Sequence, residues 1–199
     1  MNNENLVLNI SMRENLINTF LKKNNQLNLS AIRDHDWVMT KHILDSIELN
    51  NFFELWKWKK VCDIGTGWWF PLLPLAITNP NVSFIWIDAR RKKVDAVNDM
   101  INQLWIKNAK CVRSRIEDFS EQFDYITARA VWYVDKIIPR SYDLLKKWWY
   151  FIFYKQDDEE ELNVLNKLCK EYRLKIVNMY RYSLFDWDIK RVIYVIEKM

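Results

Sequence analysis

The sequence predicts an α/β fold in which a mostly parallel, seven-stranded sheet carries helices on both faces. Short and almost continuously apolar segments recur from residue 60 onward. Amphipathic helical segments separate most of them, and this alternation is typical of parallel sheets that are buried on both faces. The chain has 199 residues, 50% of them hydrophobic, and no repeat or linker divides it. That is enough for one globular unit with a proper core.

Helical segments come first and are expected to cap the sheet. Apolar residues at helical spacing predict a helix over 12–24. A second helical stretch follows over 38–55, after a loop. We therefore expect a helical N-terminal cap, residues 1–55, and one compact unit, residues 56–199.

The second unit alternates between the two kinds of element. Its strands are predicted at 60–64, 82–87, 109–113, 123–128, 149–154, 173–180 and 190–196. Its helices are predicted at 70–78, 90–104, 133–146 and 158–171. The last two strands follow each other directly, as in a hairpin.

The composition argues against several classes of protein. The three cysteines, Cys62, Cys111 and Cys169, have no spacing typical of zinc sites or disulfide frameworks. No apolar run is long enough to span a bilayer, and the polar N-terminus lacks a signal-peptide core. We expect a reduced, cytoplasmic monomer with no metal and no membrane partner. The formal net charge of +4 permits an RNA partner but does not require one.

One feature of the composition is abnormal. The chain has 2 glycines and 11 tryptophans, whereas glycine usually makes up about 7% of a chain. The two counts together, 2 + 11 = 13, come close to the number expected for glycine alone.

The tryptophans stand where glycine is expected. Trp58 precedes the first strand, Trp105 follows a helix, Trp148 lies in the turn that enters the fifth strand, and Trp187 lies in the last hairpin. Helix ends and tight turns favour positive φ, where another residue costs roughly 1–2 kcal/mol. Some bacterial lineages read UGA as glycine, and a table that reads it as tryptophan would give this pattern. The alternative is that these residues are genuine core or surface aromatics.

The segment "VCDIGTGWWFPLLPLAI", residues 61–77, predicts a cofactor loop. With glycine in place of its two tryptophans, Asp63, Gly65, Gly67 and position 69 match D-x-G-x-G-x-G between a strand and a helix. This pattern is typical of S-adenosylmethionine (SAM) methyltransferases. The dinucleotide pattern G-x-G-x-x-G would need glycine at 70, where Phe70 stands. Glycine lets the backbone approach a ligand closely.

A second carboxylate follows about 20 residues later. Asp88 ends the next predicted strand, where a carboxylate can accept hydrogen bonds from both ribose hydroxyls of a nucleoside cofactor. Both NAD and SAM carry that ribose, so Asp88 does not choose between them. Alternatively, Asp63 caps a loop or helix and Asp88 is an exposed turn residue.

Further segments, in order along residues 12–198, resemble one family. It is the glucose-inhibited division protein B family, bacterial 16S ribosomal RNA (guanine-N7)-methyltransferases. Besides the loop, the matching segments are "LNLSAIRD" (27–34), "KHILDS" (41–46), "SRIEDF" (114–119), "FDYITARAVWYV" (123–134), "LLKKWWYFIFYK" (144–155) and "KRVIYVIEK" (190–198). Leu72 departs from the family, which often has glycine there.

The resemblance implies a Rossmann-like class I SAM methyltransferase that acts on 16S rRNA of the small ribosomal subunit. Carried over by position, its SAM contacts fall on Gly65, Phe70, Ile116, Glu117 and Arg129. Ile116 and Glu117 would frame the adenine, with a backbone group reading its edge. Arg129 would clamp the methionine carboxylate or an RNA phosphate; the alternative is a surface salt bridge.

The implied chemistry needs no catalytic base, because guanine N7 carries a lone pair and no proton. We therefore name no catalytic residue. His42 and Asp45, three residues apart on a helix, are expected to hydrogen-bond across one face. They would either contact RNA or tie the cap to the sheet.

Two other functions stay open at this point. One alternative is a SAM methyltransferase that acts on a small molecule or a protein. If Trp68 and Trp69 are genuine, the loop would be obstructed and the chain would be a binding module without catalysis.

Overall fold

A single seven-stranded sheet organises the chain. The computed structural model describes residues 8–28, 30–64, 69–129, 133–184 and 189–199. The strands are β1 (Lys60–Ile64), β2 (Ser83–Asp88), β3 (Ala109–Arg113), β4 (Phe123–Arg129), β5 (Leu145–Gln156), β6 (Leu174–Leu184) and β7 (Ile189–Lys198). Their order across the sheet is β3-β2-β1-β4-β5-β7-β6. Strands β1 to β5 run parallel, and β7 is antiparallel to both β5 and β6. The predicted α/β fold is confirmed.

Helices cover both faces of this sheet. The α-helices are α1 (Ile10–Leu27), α2 (His35–Val38), α3 (Asp45–Ile47), α4 (Leu49–Phe52), α5 (Leu72–Thr78), α6 (Arg91–Gln103), α7 (Val134–Ser141) and α8 (Glu159–Glu171). Apolar residues of α1 to α6 pack in one cluster with the sheet, whereas α7 and α8 contribute to a second cluster.

Strand β2 shows why the sheet is buried on both sides. Phe84 and Trp86 belong to the first cluster, and Ile85 and Ile87 belong to the second. Successive side chains of a strand point to opposite faces, so a continuous apolar run fills two cores at once. Each such side chain contributes about 1.5–3 kcal/mol by leaving water.

The cap packs as the apolar spacing predicts. Helix α1 begins after Asn9, whose side chain accepts a hydrogen bond from the Met12 N–H, and it buries Leu16, Ile17 and Phe20. The second stretch differs from a single helix. Between His35 and Phe52 it consists of short α-helical pieces around a π-helical turn, Met39–Leu44.

Several predicted boundaries differ from the structure, and two of the differences are informative. Strand β5 begins at Leu145 and not at 149, because its pairing with β4 continues past an irregularity. That irregularity contains Trp148, which the sequence placed in a turn before the strand. The helix expected over 133–146 ends at Ser141 and continues as a 3-10 turn, Tyr142–Leu144.

Tryptophan dominates the unusual backbone conformations. Among the described residues, six that are not glycine have positive φ, and the tryptophans are Trp58 (66°), Trp69 (66°), Trp105 (54°) and Trp148 (67°). At the end of α6, the N–H of Ile106 donates to the Ile101 carbonyl at 3.0 Å. That bond is the mark of a Schellman turn, which favours glycine where Trp105 stands. Trp68, Trp132 and Trp187 lie outside the described residues.

Candidate cofactor site

The carboxyl ends of β1, β2 and β4 meet at one edge of the sheet. Ile64 of β1 pairs with Ile87 of β2, and Asp63 pairs with Thr127 of β4. The strand order reverses between β1 and β4, and open α/β sheets bind ligands outside the carboxyl ends at such a point. The predicted site residues Gly65 and Gly67 follow β1 directly but lie outside the described residues.

Asp63 lies inside the sheet. Its buried carboxylate accepts a hydrogen bond from the Thr127 hydroxyl at 2.7 Å. A hydroxyl donor satisfies part of the charge that burial would otherwise penalise. Asp63 therefore joins β1 to β4 directly below the loop that follows β1.

Asp88 is placed where the sequence predicted it, at the end of β2. One oxygen accepts from the Arg90 N–H at 2.7 Å, and the other lies 3.8 Å from the ammonium of Lys93. The side chain is 15% exposed, so it is not the exposed turn residue of the alternative interpretation. A carboxylate offers about four acceptor positions, and Asp88 retains capacity for two hydroxyl donors.

Ile116 and Glu117 form a single 3-10 turn, Ile116–Asp118, shortly after β3. Ile116 is half-buried and packs against the second cluster, whereas the Glu117 carboxylate is 53% exposed and lies 3.7 Å from Arg140. This turn lies on the β3 side of Asp88, since β3 is the neighbour of β2. The structure thus brings both residues to the same edge as Asp88.

Phe70 is committed to the core. Its ring stacks on His42 with centroids 4.6 Å apart and meets Phe20 edge-on at 5.4 Å. The neighbouring Trp69 indole also packs against Phe20, at 5.4 Å. Any cofactor contact by Phe70 would therefore come from its main chain.

Arg129 has a different environment from both alternatives considered in the sequence. Its Nη1 donates to the Asp45 carboxylate at 2.9 Å and to the Lys41 carbonyl at 2.8 Å, and Nη2 donates to His42 Nδ1 at 3.0 Å. The Arg129 side chain is only 7% exposed, so this is a buried ion pair and not a surface one. Both Nη1 hydrogens are thus engaged by the cap, whereas the buried Nε–H has no partner among the described residues.

His42 is a neutral hydrogen-bond acceptor toward Arg129. A guanidinium has only donors, so His42 Nδ1 must present its lone pair. Burial, and then the positive charge of Arg129, lower the pKa of His42 to about 3. In place of the expected bond to each other, His42 and Asp45 both accept hydrogen bonds from Arg129, which ties the cap to the sheet.

Three residues near this edge were not predicted from the sequence. Thr127 holds Asp63, and Tyr182 and Arg191 reach Asp45 from the β6–β7 hairpin. A signal existed for Arg191, because it is a charged residue in an apolar strand and buried charges need partners.

Comparison with known proteins agrees with this geometry. The family model for rRNA small subunit methyltransferase G matches residues 9–192. The chain belongs to this family. A member from Chlorobium phaeobacteroides is 34% identical over 73% of this chain and 67% of its own length. A member from Lysinibacillus sphaericus is 31% identical over 88% of this chain and 77% of its own length. Both bear the name ribosomal RNA small subunit methyltransferase G.

Solved structures support the fold independently of close sequence similarity. A SAM-dependent methyltransferase from Aquifex aeolicus superposes with a TM-score of 0.64 at 16% identity, covering 89% of this chain and 98% of that chain. TYW2 from P. horikoshii, solved with MeSAdo, gives 0.56 at 15% identity, over 70% of this chain and 56% of that chain. This family member therefore has the Rossmann-like class I methyltransferase fold.

Other kinds of site receive no support from the described part of the chain. No group of His, Cys, Asp and Glu in it is arranged to hold a metal ion. Burial raises the pKa of the Cys62, Cys111 and Cys169 thiols, which disfavours the nucleophilic thiolate. None of the described helices has the length and apolar character needed to cross a membrane.

Proposed function

We propose that this chain transfers the methyl group of SAM to N7 of a guanine in 16S rRNA of the small ribosomal subunit. The observation that carries the proposal is the family match over residues 9–192, nearly the whole chain. The relatives' shared name supplies the substrate class, and the class I fold supplies the cofactor. The edge formed by β1, β2 and β4 is where both would meet.

The described residues of this edge fit SAM. Asp88 would accept hydrogen bonds from the two ribose hydroxyls, because its carboxylate is partly accessible and not fully engaged. The main chain of the turn at Ile116 and Glu117 would border the adenine. Asp63, held by Thr127, supports the loop that contains Gly65 and Gly67. When bound, SAM supplies an electrophilic methyl group on a positively charged sulfur.

The chain's contribution to catalysis would be alignment. Guanine N7 attacks with an in-plane lone pair and has no proton to lose, so no side chain has to act as a base. Holding the two reactants in line converts binding energy into rate. The raised pKa values of the buried cysteines agree with a mechanism that forms no covalent bond to the protein.

The setting of the reaction is also part of the proposal. We propose a cytoplasmic monomer, since the proposed substrate is a ribosomal subunit. Residues 1–55 would act as the cap and residues 56–199 as the methyltransferase unit. The contacts of Arg129 with Lys41, His42 and Asp45 support a cap that is fixed to this unit.

A methyl-transfer assay tests the proposal. The chain, prepared both as given and with Trp68→Gly and Trp69→Gly, is incubated with radiolabelled SAM and small subunits that lack the modification. Digested RNA should contain label that co-migrates with 7-methylguanosine, at least for the glycine form. Label in another nucleoside would contradict N7 as the target. Transfer only to a small molecule or a protein, or no transfer by either form, would contradict rRNA as the substrate.

A further inference from the structure

A buried carboxylate in the cap connects four parts of the molecule. Asp45 accepts from Arg129 Nη1 at 2.9 Å, from the Tyr182 hydroxyl at 2.6 Å, and from Arg191 Nε and Nη2 at 3.3 Å each. Asp45 is 2% exposed. One carboxylate therefore fixes the cap to the end of β4 and to both strands of the β6–β7 hairpin.

The same cluster reaches the loop that follows β1. The Arg129 guanidinium lies over the ring of Phe70, 5.6 Å from its centroid. The His42 ring stacks on the same Phe70 ring, with centroids 4.6 Å apart. Phe70 comes directly after position 69, the last position of the proposed cofactor loop pattern. A shift of the Arg129 guanidinium would thus disturb both the end of β4 and the end of the loop.

We propose that Asp45 is a positioning residue for the cofactor site, acting through Arg129. The role rests on the proposed function. Asp45 reaches the edge that we assign to SAM through its bond to Arg129 at the end of β4. It neutralises Arg129 and sets the direction of its guanidinium, so that the strand end and the loop keep the geometry that SAM requires.

A matched control lies at the other end of the same strand. Asp124 is also buried, and its carboxylate accepts from the Lys60 N–H and the Lys146 ammonium, both at 2.9 Å. Asp124 thus resembles Asp45 in burial and in its cationic partner, but it lies at the amino end of β4. A purely structural role predicts that the two carboxylates behave alike.

The test is SAM affinity by calorimetry, in the full chain carrying Trp68→Gly and Trp69→Gly. Asp45→Asn should weaken SAM binding by about tenfold, the effect of one charged hydrogen bond. Asp124→Asn should keep the Kd for SAM within about twofold of the parent value, even if it lowers the melting temperature as much as Asp45→Asn does. Asp45→Asn added to Arg129→Gln should weaken binding no further than Arg129→Gln alone.

Either of two results would overturn the positioning role of Asp45. One is an unchanged Kd for Asp45→Asn; the other is a double variant in which the Kd increases of Asp45→Asn and Arg129→Gln multiply. If Asp45→Asn does not fold, Tyr182→Phe removes one donor and keeps every charge. It should raise the Kd about two- to threefold, and an unchanged Kd would again be contrary. Because binding is read without methyl transfer, a wrong rRNA target leaves this test intact. Loss of SAM binding by the background itself would overturn both proposals.

A separate observation concerns the tryptophans with positive φ. Three of them are exposed: Trp58 (82%), Trp105 (84%) and Trp148 (58%). An exposed indole gains little from burial that would offset an unfavourable backbone. Trp105 also occupies the glycine position of a Schellman turn.

We infer that this fold is built for glycine at 58, 69, 105 and 148, and that the natural gene encodes glycine there. This inference does not depend on the proposed function. The gene's codons at these positions should be TGA, and TGG codons would overturn the inference. In the purified chain, Trp58→Gly, Trp105→Gly and Trp148→Gly should each raise the melting temperature by about 2–4 °C.

Trp56→Gly is the control. Trp56 is 56% exposed, similar to the 58% of Trp148, but it is not among the residues with positive φ. It should not raise the melting temperature. A rise as large as that of the other three, or no rise in any of them, would contradict a backbone origin.

Discussion

The carboxyl ends of β2 and β4 lie at the same edge of the sheet, yet their terminal side chains differ in charge and in burial. Asp88 ends β2 with a partly accessible carboxylate that has one backbone donor and a cation at 3.8 Å. Arg129 ends β4 as a buried cation with three partners, all from the cap. Of these two strand ends, only that of β2 presents a charged side chain that a ligand can reach. The cap covers the β4 side, the closed side of this edge, and we propose that the nucleoside binds over β2, the open side.

The largest effect is expected on the closed side. Arg129→Met should lower the free energy of unfolding by about 3–5 kcal/mol, because it leaves Asp45 buried without its nearest cation. Urea denaturation measures this loss. Lys146→Met is the control at the other end of β4, where the lysine is 41% exposed, and it should cost about 1 kcal/mol or less. Equal losses for the two variants would contradict a larger contribution to stability from the ion pair at the carboxyl end of β4.

The next effect is expected on the open side. Asp88→Ala should weaken SAM binding by about 10- to 100-fold, since hydrogen bonds to a charged group contribute about 1.5–3 kcal/mol. Calorimetry on the glycine form measures it. Asp95→Ala, which removes a carboxylate that is 67% exposed on α6, should change the Kd little. If the two variants bind SAM equally well, the nucleoside does not lie over β2.

A pH effect is expected from His42 on the closed side. The pKa of His42 lies at about 3 in the folded chain, below its ordinary value of 6.5, so the unfolded chain binds more protons between these values. Stability is therefore lost as the pH falls through 6.5. His42 should account for about 2 kcal/mol of the loss between pH 7 and pH 5.

Urea denaturation at the two pH values tests this contribution. His42→Gln should lose less stability than the parent chain over that interval. His35→Gln removes the other histidine of the chain, whose pKa is raised mainly by its hydrogen bond to Glu14, and should not reduce the loss. A loss that is unchanged in His42→Gln would show that burial and the charge of Arg129 do not hold His42 neutral.

The smallest effect is expected beside the open side. Glu117→Gln should change the SAM Kd by less than about threefold, because the exposed carboxylate pairs loosely with Arg140 and the main chain is expected to border the adenine. Calorimetry distinguishes this from a direct role. A loss comparable to that of Asp88→Ala would show that the Glu117 side chain itself holds the cofactor.

The sequence predicted the sheet well because its signal is local. Most of the parallel strands contain an apolar run, and β1 and β3 were predicted with their observed bounds, Lys60–Ile64 and Ala109–Arg113. The start of β5 was missed because Trp148 lies in an irregular pairing with β4, which depends on a distant strand and not on local pattern.

The site was predictable only in part, for the same reason. Asp88 and the turn at Ile116 and Glu117 follow strands, so their position at the edge could be deduced. The partners of Arg129 could not, because Asp45 lies 84 residues away in the chain. Helical spacing placed His42 and Asp45 on one face, but it could not show that a guanidinium from β4 lies between them.

The most direct measurement is a crystal structure of the chain, with glycine at 68 and 69, bound to S-adenosylhomocysteine. We expect both ribose hydroxyls within hydrogen-bond distance of the Asp88 carboxylate and the adenine beside the turn at Ile116 and Glu117. Arg129 should remain hydrogen-bonded to Asp45. A nucleoside bound away from β2, or Arg129 turned from Asp45 to grip the ligand's carboxylate, would contradict it.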